Sequence, residues 1–203
     1  ANSTSAFGFQ SFGHLDGSAP TMGLERLVLN TSDTNLYFTG DAVARSTAGA
    51  VTKLTNTTTS AQVPYGIFAG CEFFSPSVAR VVWSPYYPGS VGSSAPGNAY
   101  IISDPEMKFK VRTNGIVGQS AVGQNAIPLS SFSSLGNTAT GVSAVLLSTV
   151  VSADSSAWFK IVALYSEYGP PGSDGTDNTA AGNVVIVTAN SWERRAGTVA
   201  AST

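Results

Sequence analysis

The sequence is poor in the residues on which staples, metal sites and charge-driven binding depend. Its 203 residues hold one cysteine, Cys71, and one histidine, His14. A single cysteine excludes an intrachain disulfide. One cysteine with one histidine also excludes a zinc site built from such ligands within one chain. Charge is scarce, since Asp, Glu, Lys and Arg make up 11% of the chain, against about 25% in an ordinary soluble domain. The net charge is −2, and Arg194-Arg195 are the only adjacent cations. Such a balance leaves no footprint for DNA or RNA, because phosphate binding needs clustered Lys and Arg.

Long apolar runs are missing as well. None approaches the roughly 20 residues that span a bilayer, so no membrane partner is expected. No Gly-rich phosphate loop follows a strand, and no strand–helix alternation exists to carry one. Ala1-Asn2-Ser3-Thr4 shows no charged region followed by an apolar one. It is expected to be a cytosolic start from which the initiator Met has been trimmed.

What is present makes a folding chain. Hydrophobic residues reach 42%, with ten Phe, seven Tyr and three Trp, enough to bury a core without staples. The length fits one β-rich domain, or one domain with an arm. The polar surface must be made of Ser, Thr, Asn and Gly, which hydrogen-bond but barely repel one another. That suits an extracellular protein or one packed against neighbours.

Three segments are expected: an N-terminal arm over 1–23, a β domain over 24–193 and a loose tail over 194–203. The arm reads Ala6-Phe7-Gly8-Phe9-Gln10-Ser11-Phe12-Gly13-His14, and glycine at this density weakens any helix. An arm so short cannot bury its own rings. Phe7, Phe9 and Phe12 are therefore expected to dock elsewhere, on the arm's own domain or on a neighbouring subunit. Its removal is expected to leave the domain folded.

From Leu24 onward the signals are strands and turns. Tyr37-Phe38-Thr39-Gly40-Asp41-Ala42-Val43-Ala44 leads through a Gly49 turn to Val51-Thr52-Lys53-Leu54, a hairpin pattern. Pro64-Tyr65-Gly66-Ile67-Phe68-Ala69-Gly70-Cys71-Glu72-Phe73-Phe74 reads as a buried strand with glycines at a bulge or close approach. Arg80-Val81-Val82-Trp83 continues it after Ser75-Pro76-Ser77. Lys108-Phe109-Lys110-Val111-Arg112 alternates strictly, with Phe109 and Val111 toward the core and three cations outward. Residues 143–151 also fit a helical pattern through Val142, Val145, Leu146 and Thr149, but their β-branched and Ser content favours a strand. Val184-Val185-Ile186-Val187-Thr188 is apolar enough to be central. Turn signals every eight to twelve residues give the rhythm of an all-β fold, a single β-barrel or sandwich-like domain.

Little of this is chemistry. His14 sits in the arm beside Leu15-Asp16, and a Ser–His–Asp site needs a rigidly held imidazole. A hydrogen bond made as the arm docks is the simpler role for it. Cys71 lies inside an apolar strand, where a structural thiol is expected, since a reactive one wants an open electropositive site. Glu72, Asp104 and Glu106 are the carboxylates from which a glycosidase pair would be drawn. Nothing in the sequence pairs them, so no enzyme and no cofactor are expected. Asp174-Gly175-Thr176-Asp177-Asn178 lacks the spacing and closing Glu of an EF-hand and reads as an Asx-rich turn. The sequons at Asn2, Asn30 and Asn56 follow from a Ser/Thr/Asn-rich composition.

Pro64-Tyr65-Gly66-Ile67-Phe68-Ala69-Gly70-Cys71-Glu72-Phe73-Phe74 and Val81-Val82-Trp83-Ser84-Pro85-Tyr86-Tyr87-Pro88-Gly89-Ser90 resemble the capsid cement (decoration) proteins of tailed bacteriophages. Phe7-Gly8-Phe9 to His14-Leu15, Gly40-Asp41-Ala42-Val43, Val122-Gly123-Gln124-Asn125-Ala126, Thr140-Gly141-Val142-Ser143 and Phe159-Lys160-Ile161-Val162 keep the order of that family over residues 7–190. The extended Ser/Gly linker at 91–97 and the loop at 169–182 have no place in the pattern. The resemblance implies a barrel-like protein on the outer surface of a virion capsid, made in the host cytoplasm. It implies binding to major capsid protein as homotrimers, with no enzymatic activity or cofactor. Phe7, Phe9, Phe12 and His14 of the arm, and Tyr86 and Tyr87 of the proline corner, are the expected partner-binding residues. Tyr86 and Tyr87 would look the same as core residues. The alternatives are another β-rich virion part, such as a head fibre, tail or receptor-binding protein, and a carbohydrate-active enzyme.

Overall fold

The computed structural model describes residues 1–19, 23–30, 33–54, 62–91, 97–129, 136–166 and 176–196. The loop at 55–60 with the Asn56 sequon, most of the linker at 91–97, most of the loop at 169–178 and the end of the tail lie outside the described residues.

The first strands are β1 (Gln10–His14), β2 (Glu25–Leu29), β3 (Tyr37–Phe38), β4 (Ala42–Arg45), β5 (Val51–Lys53), β6 (Gly66–Ser75), β7 (Arg80–Ser84) and β8 (Tyr86–Tyr87). They are followed by β9 (Gly97–Ile102), β10 (Met107–Arg112), β11 (Asn125–Pro128), β12 (Gly136–Asn137) and β13 (Val142–Ser143). The last are β14 (Leu147–Ser152), β15 (Phe159–Leu164) and β16 (Val184–Ala189), before a short helix α1 (Glu193–Ala196). Sheet I has the order β1-β10-β16-β15-β11-β14, and sheet II has β2-β9-β6-β4-β5 with β7 also paired to β6. Both are antiparallel and open, so of the two expected forms the fold is the all-β sandwich and not a closed barrel.

Local sequence explains the strands. In β10, Met107, Phe109 and Val111 are buried while Lys108, Lys110 and Arg112 are half-buried, the alternation that two unlike faces require. β16 is buried at every position because it lies between β10 and β15 with both faces covered. Residues 142–143 and 147–152 are strands, as their β-branched content favoured, and the helical pattern is not realised. Gly49 has φ +77 in the turn that joins β4 to β5, a conformation costly for any residue with a Cβ.

The main core joins Phe109, Phe159, Ile161, Val185 and Val187 of sheet I to Ala42, Ala44, Ile67 and Ile102 at one end of sheet II. Each such large side chain contributes about 1.5–3 kcal/mol on burial. A second core covers the other side of sheet II, where Phe68, Cys71, Ala99 and Ile101 meet Tyr37 and Tyr87 of the β3–β8 ribbon. A buried ion pair stands near that ribbon, with Lys53 Nζ 3.8 Å from Asp41 Oδ2. Asp41 also accepts hydrogen bonds from the Ser143 hydroxyl at 2.6 Å and the Phe38 N–H at 2.9 Å, and Lys53 donates to the Leu36 carbonyl at 2.6 Å. Burial pushes the Asp41 carboxyl up and the Lys53 ammonium down, each opposed by the charge of the other.

Three expected boundaries change. Within the expected arm, residues 10–14 form β1, the edge strand of sheet I, pairing Gln10 with Lys110 and His14 with Met107. The Tyr37–Ala44 run is two strands, broken where Gly40 takes φ +95. The start of the tail is tied down, because α1 places Arg194 2.9 Å from Glu25 and Arg195 3.2 Å from Glu106.

Candidate functional site

The six residues expected to bind partners are dispersed. Phe9 is a core residue, 2% exposed, and its ring stacks on Phe159 with centroids 4.3 Å apart. Its N–H donates to the Gly40 carbonyl at 2.9 Å. Gly8 makes this approach possible: its φ is +66, and a Cβ there would lie 2.7 Å from Ser143 Cβ. Phe7 is half-buried and packs with Tyr165, Val184 and Ile186. Tyr87 is fully buried against Tyr37 and Phe73, the core alternative left open for it in the sequence. Tyr86 is half-buried and stacks on Phe38 at 5.7 Å. Only Phe12 remains strongly exposed, at 44%, with its edge against Tyr165. The Phe-bearing segment docks on its own domain.

His14 is held by hydrogen bonds rather than offered to a partner. Its Nδ1 lies 3.0 Å from Asp16 Oδ1 and its Nε2 3.2 Å from Asp104 Oδ2. The hydrogen bond to Asp16 leads in raising the imidazole above its ordinary value, and the charges of both carboxylates add to it. Asp16 is held at about 2, first by the Ser18 hydroxyl and amide and then by His14.

The carboxylates considered for hydrolysis go to different partners. Glu72 accepts a hydrogen bond from Tyr100, Asp104 faces His14 and accepts the Glu106 N–H at 2.9 Å, and Glu106 pairs with Arg195. Cys71 is buried beside the Ser84 carbonyl, and burial pushes its thiol up to about 12. Among the described residues, no three of His, Cys, Asp and Glu gather where a metal ion could be held. No described helix is long and apolar enough to cross a membrane.

The side of sheet II that meets sheet I through Ile67 and Ile102 continues past that contact and becomes exposed. Strand register places Gly70 and Tyr100 opposite each other there, with Arg26 beyond Tyr100. The next row holds Trp83, Glu72, Asn98 and Val28. Val81 and Phe74 follow. Trp83 is 62% exposed, Val81 65% and Val28 52%. The Trp83 indole lies across Gly70, since a Cβ at Gly70 would meet its Cζ2 at 3.0 Å and its Cε2 at 3.4 Å. Gly70 has φ +141 next to a β-bulge between Phe68 and Gly70, a backbone that only glycine adopts freely. The hydrogen bond to Glu72 is the first cause that pushes the Tyr100 phenol up. At its inner end the face runs into an apolar cleft of about 470 Å³ between the Phe7–Ser11 segment and Leu24, Ala69 and Ile102.

A second exposed apolar surface lies at the far edge of sheet I. Val150 of β14 is 76% exposed and borders Ile127. Leu129 and Ile116, 39% and 55% exposed, flank the start of that strand. There the Leu129 and Asn114 N–H groups donate to the Leu146 and Leu147 carbonyls. β14 and β1 are the two outer strands of sheet I, five strand spacings apart, or about 24 Å at about 4.8 Å each.

The sequence reading missed both surfaces. Arg80-Val81-Val82-Trp83 was expected to continue a buried strand, but the hairpin puts only Val82 inward and pairs Trp83 with Glu72. Strand parity counted outward from the Ser75-Pro76-Ser77 turn carries that signal. No protein family, curated protein or solved structure matches the chain.

Proposed function

We propose that the chain is a structural, non-enzymatic protein that works by contact with other protein surfaces, and that it is a cement protein on the outside of a tailed-phage head. One observation carries the adhesive reading. A sandwich of low charge presents two separate exposed apolar surfaces, the β14 edge and the Trp83 face. A protein that ties capsomers together needs more than one contact surface, whereas a monomeric enzyme needs one cleft with convergent polar groups. The capsid as partner comes from the sequence resemblance.

On this reading the β14 edge, with Val150, Leu129 and Ile116, takes the major capsid protein or a neighbouring subunit of a trimer. Stable interfaces of this kind bury about 1,200–2,000 Å². Asn114 already pairs with the Leu147 carbonyl and the Thr149 N–H, so what this edge offers is chiefly the apolar area of Val150 and its neighbours. The Phe-bearing segment acts indirectly, by completing sheet I.

The test is to mix the protein with undecorated capsids and pellet them. Wild type is expected to co-sediment and Val150→Lys to stay in the supernatant with an unchanged melting temperature. Absence of wild-type protein from the pellet sinks the capsid reading. A second reading, a receptor-binding virion part, is favoured by the exposed indole of Trp83. Imaging of particles that places the protein at a vertex or tail tip would select it.

A further inference from the structure

The geometry points to a saccharide-binding platform on the exposed face of sheet II, with Trp83 as the stacking surface and Glu72, Asn98 and Arg26 as hydrogen-bonding groups for a neutral sugar chain. This goes beyond the capsid reading and reassigns one of its two surfaces: the β14 edge remains the protein contact and the Trp83 face takes a sugar.

The first argument is the lie of the indole. The Cζ2–Cε2 side of the Trp83 ring lies close over the backbone at Gly70, and the residue is 62% exposed. An aromatic ring held against a sheet and open to solvent is a surface that accepts the apolar C–H face of a pyranose. The arrangement is fixed by the chain: any residue larger than glycine at position 70 would push against the ring and would have to adopt φ +141. A backbone open only to glycine beneath an exposed aromatic is not accounted for by core packing of the ring, because Trp83 belongs to neither core cluster.

The second argument is what surrounds the ring. Glu72 stands directly opposite Trp83 and Asn98 is next in the same row, while Tyr100 and Arg26 occupy the adjacent row. Tyr100 stands in the row next to Glu72, and the Glu72 carboxylate beside it pushes the phenol up, which leaves the carboxylate free lone pairs for a ligand. A carboxylate and a side-chain amide at fixed spacing accept and donate to the vicinal hydroxyls of a sugar, and a few such groups orient a ligand over an apolar floor.

The third argument is charge, and it decides the class of occupant. The face carries one carboxylate, Glu72, and one guanidinium, Arg26, so it has no net field to draw an anionic or cationic polymer. A neutral hydroxyl-rich chain matches both the absence of net charge and the alternation of flat apolar and polar groups. The rows continue into the cleft at Leu24 and Ile102, so more than one sugar ring has room along the face.

The chain supplies its own reporter. Its three tryptophans are Trp83, Trp158 and Trp192, and the last two are 0% exposed. A ligand that quenches or blue-shifts the emission therefore reports Trp83. The full chain would be titrated with neutral hexasaccharides of β-1,4-glucose, β-1,3-glucose, β-1,4-mannose and β-1,4-N-acetylglucosamine. At least one is expected to give a saturable shift with a dissociation constant on the order of 1 mM or below. Calorimetry should show binding about tenfold weaker for Trp83→Ala and for Glu72→Gln, with part of it retained in Trp83→Phe. Circular dichroism of each variant checks that the sandwich is intact.

The proposal is overturned if none of the four sugars gives a saturable response, or if the response persists unchanged in Trp83→Ala. It is also overturned if no sugar binds and Trp83→Ala abolishes co-sedimentation with capsids, since the face is then a protein contact. Sugar binding without capsid co-sedimentation supports the platform and sinks the capsid reading alone.

Discussion

The ring of Phe9 lies parallel to that of Phe159, with centroids 4.3 Å apart and planes inclined by 12°. That single stack turns a segment with the look of a free arm into a structural part of sheet I. Phe9→Ala is expected to cost about 3–5 kcal/mol, the usual range for emptying a buried phenylalanine site. Phe12→Ala should cost less than about 1.5 kcal/mol, since its ring keeps one edge contact and is otherwise in water. Urea denaturation of both variants checks the difference. Equal small effects would mean that the segment is not part of the folded unit.

His14 links the end of β1 to the turn before β10 through Asp16 and Asp104. Its folded value is raised above the ordinary 6.5, so its contribution is fully present below about 6.5 and is lost as pH rises through the folded value. Asp16 moves the other way, contributing above its ordinary 3.8 and losing that contribution as pH falls through about 2. The chain has one histidine, so its imidazole gives a single Hε1 resonance to follow by NMR. A midpoint at or below 6.5 would show that the clamp does not form in solution.

Cys71 is the only thiol, and burial raises it to about 12. A thiol reacts as thiolate, so the native protein is expected to resist Ellman's reagent at pH 8 and to react with one equivalent once unfolded in guanidinium. Rapid labelling of the native state would contradict the buried position of β6.

Asp41 and Lys53 are both buried and complete each other's hydrogen bonds with Ser143, Phe38 and Leu36. Asp41→Ala leaves an ammonium without its anion inside the protein, and a loss of about 3–5 kcal/mol is expected. The double variant Asp41→Ala with Lys53→Met removes both charges and should recover part of that loss. If the double variant is less stable than Asp41→Ala, the pair is not what the single change disrupts. Thermal melts of the three proteins decide it.

The amino-acid sequence by itself determined the class of fold. Strict alternation at 108–112, the apolar run at 184–188 and the Gly49 turn each impose a period or a backbone angle that neighbours cannot change. It also determined what chemistry is scarce, because counts of Cys, His and clustered cations do not depend on folding. Only the tertiary structure decided where the aromatic rings go. Phe9, Phe12, Tyr86 and Tyr87 are alike in composition and local context, yet two are buried and one is largely exposed, because burial depends on which strand from elsewhere in the chain lies opposite. Trp83 shows the same limit from the other side. Its neighbours read as core, but sheet I covers sheet II only at the Ile67–Ile102 end, and the indole lies beyond that cover. Strand parity is local and legible, whereas the overlap of two sheets is a long-range outcome of packing that no single segment encodes.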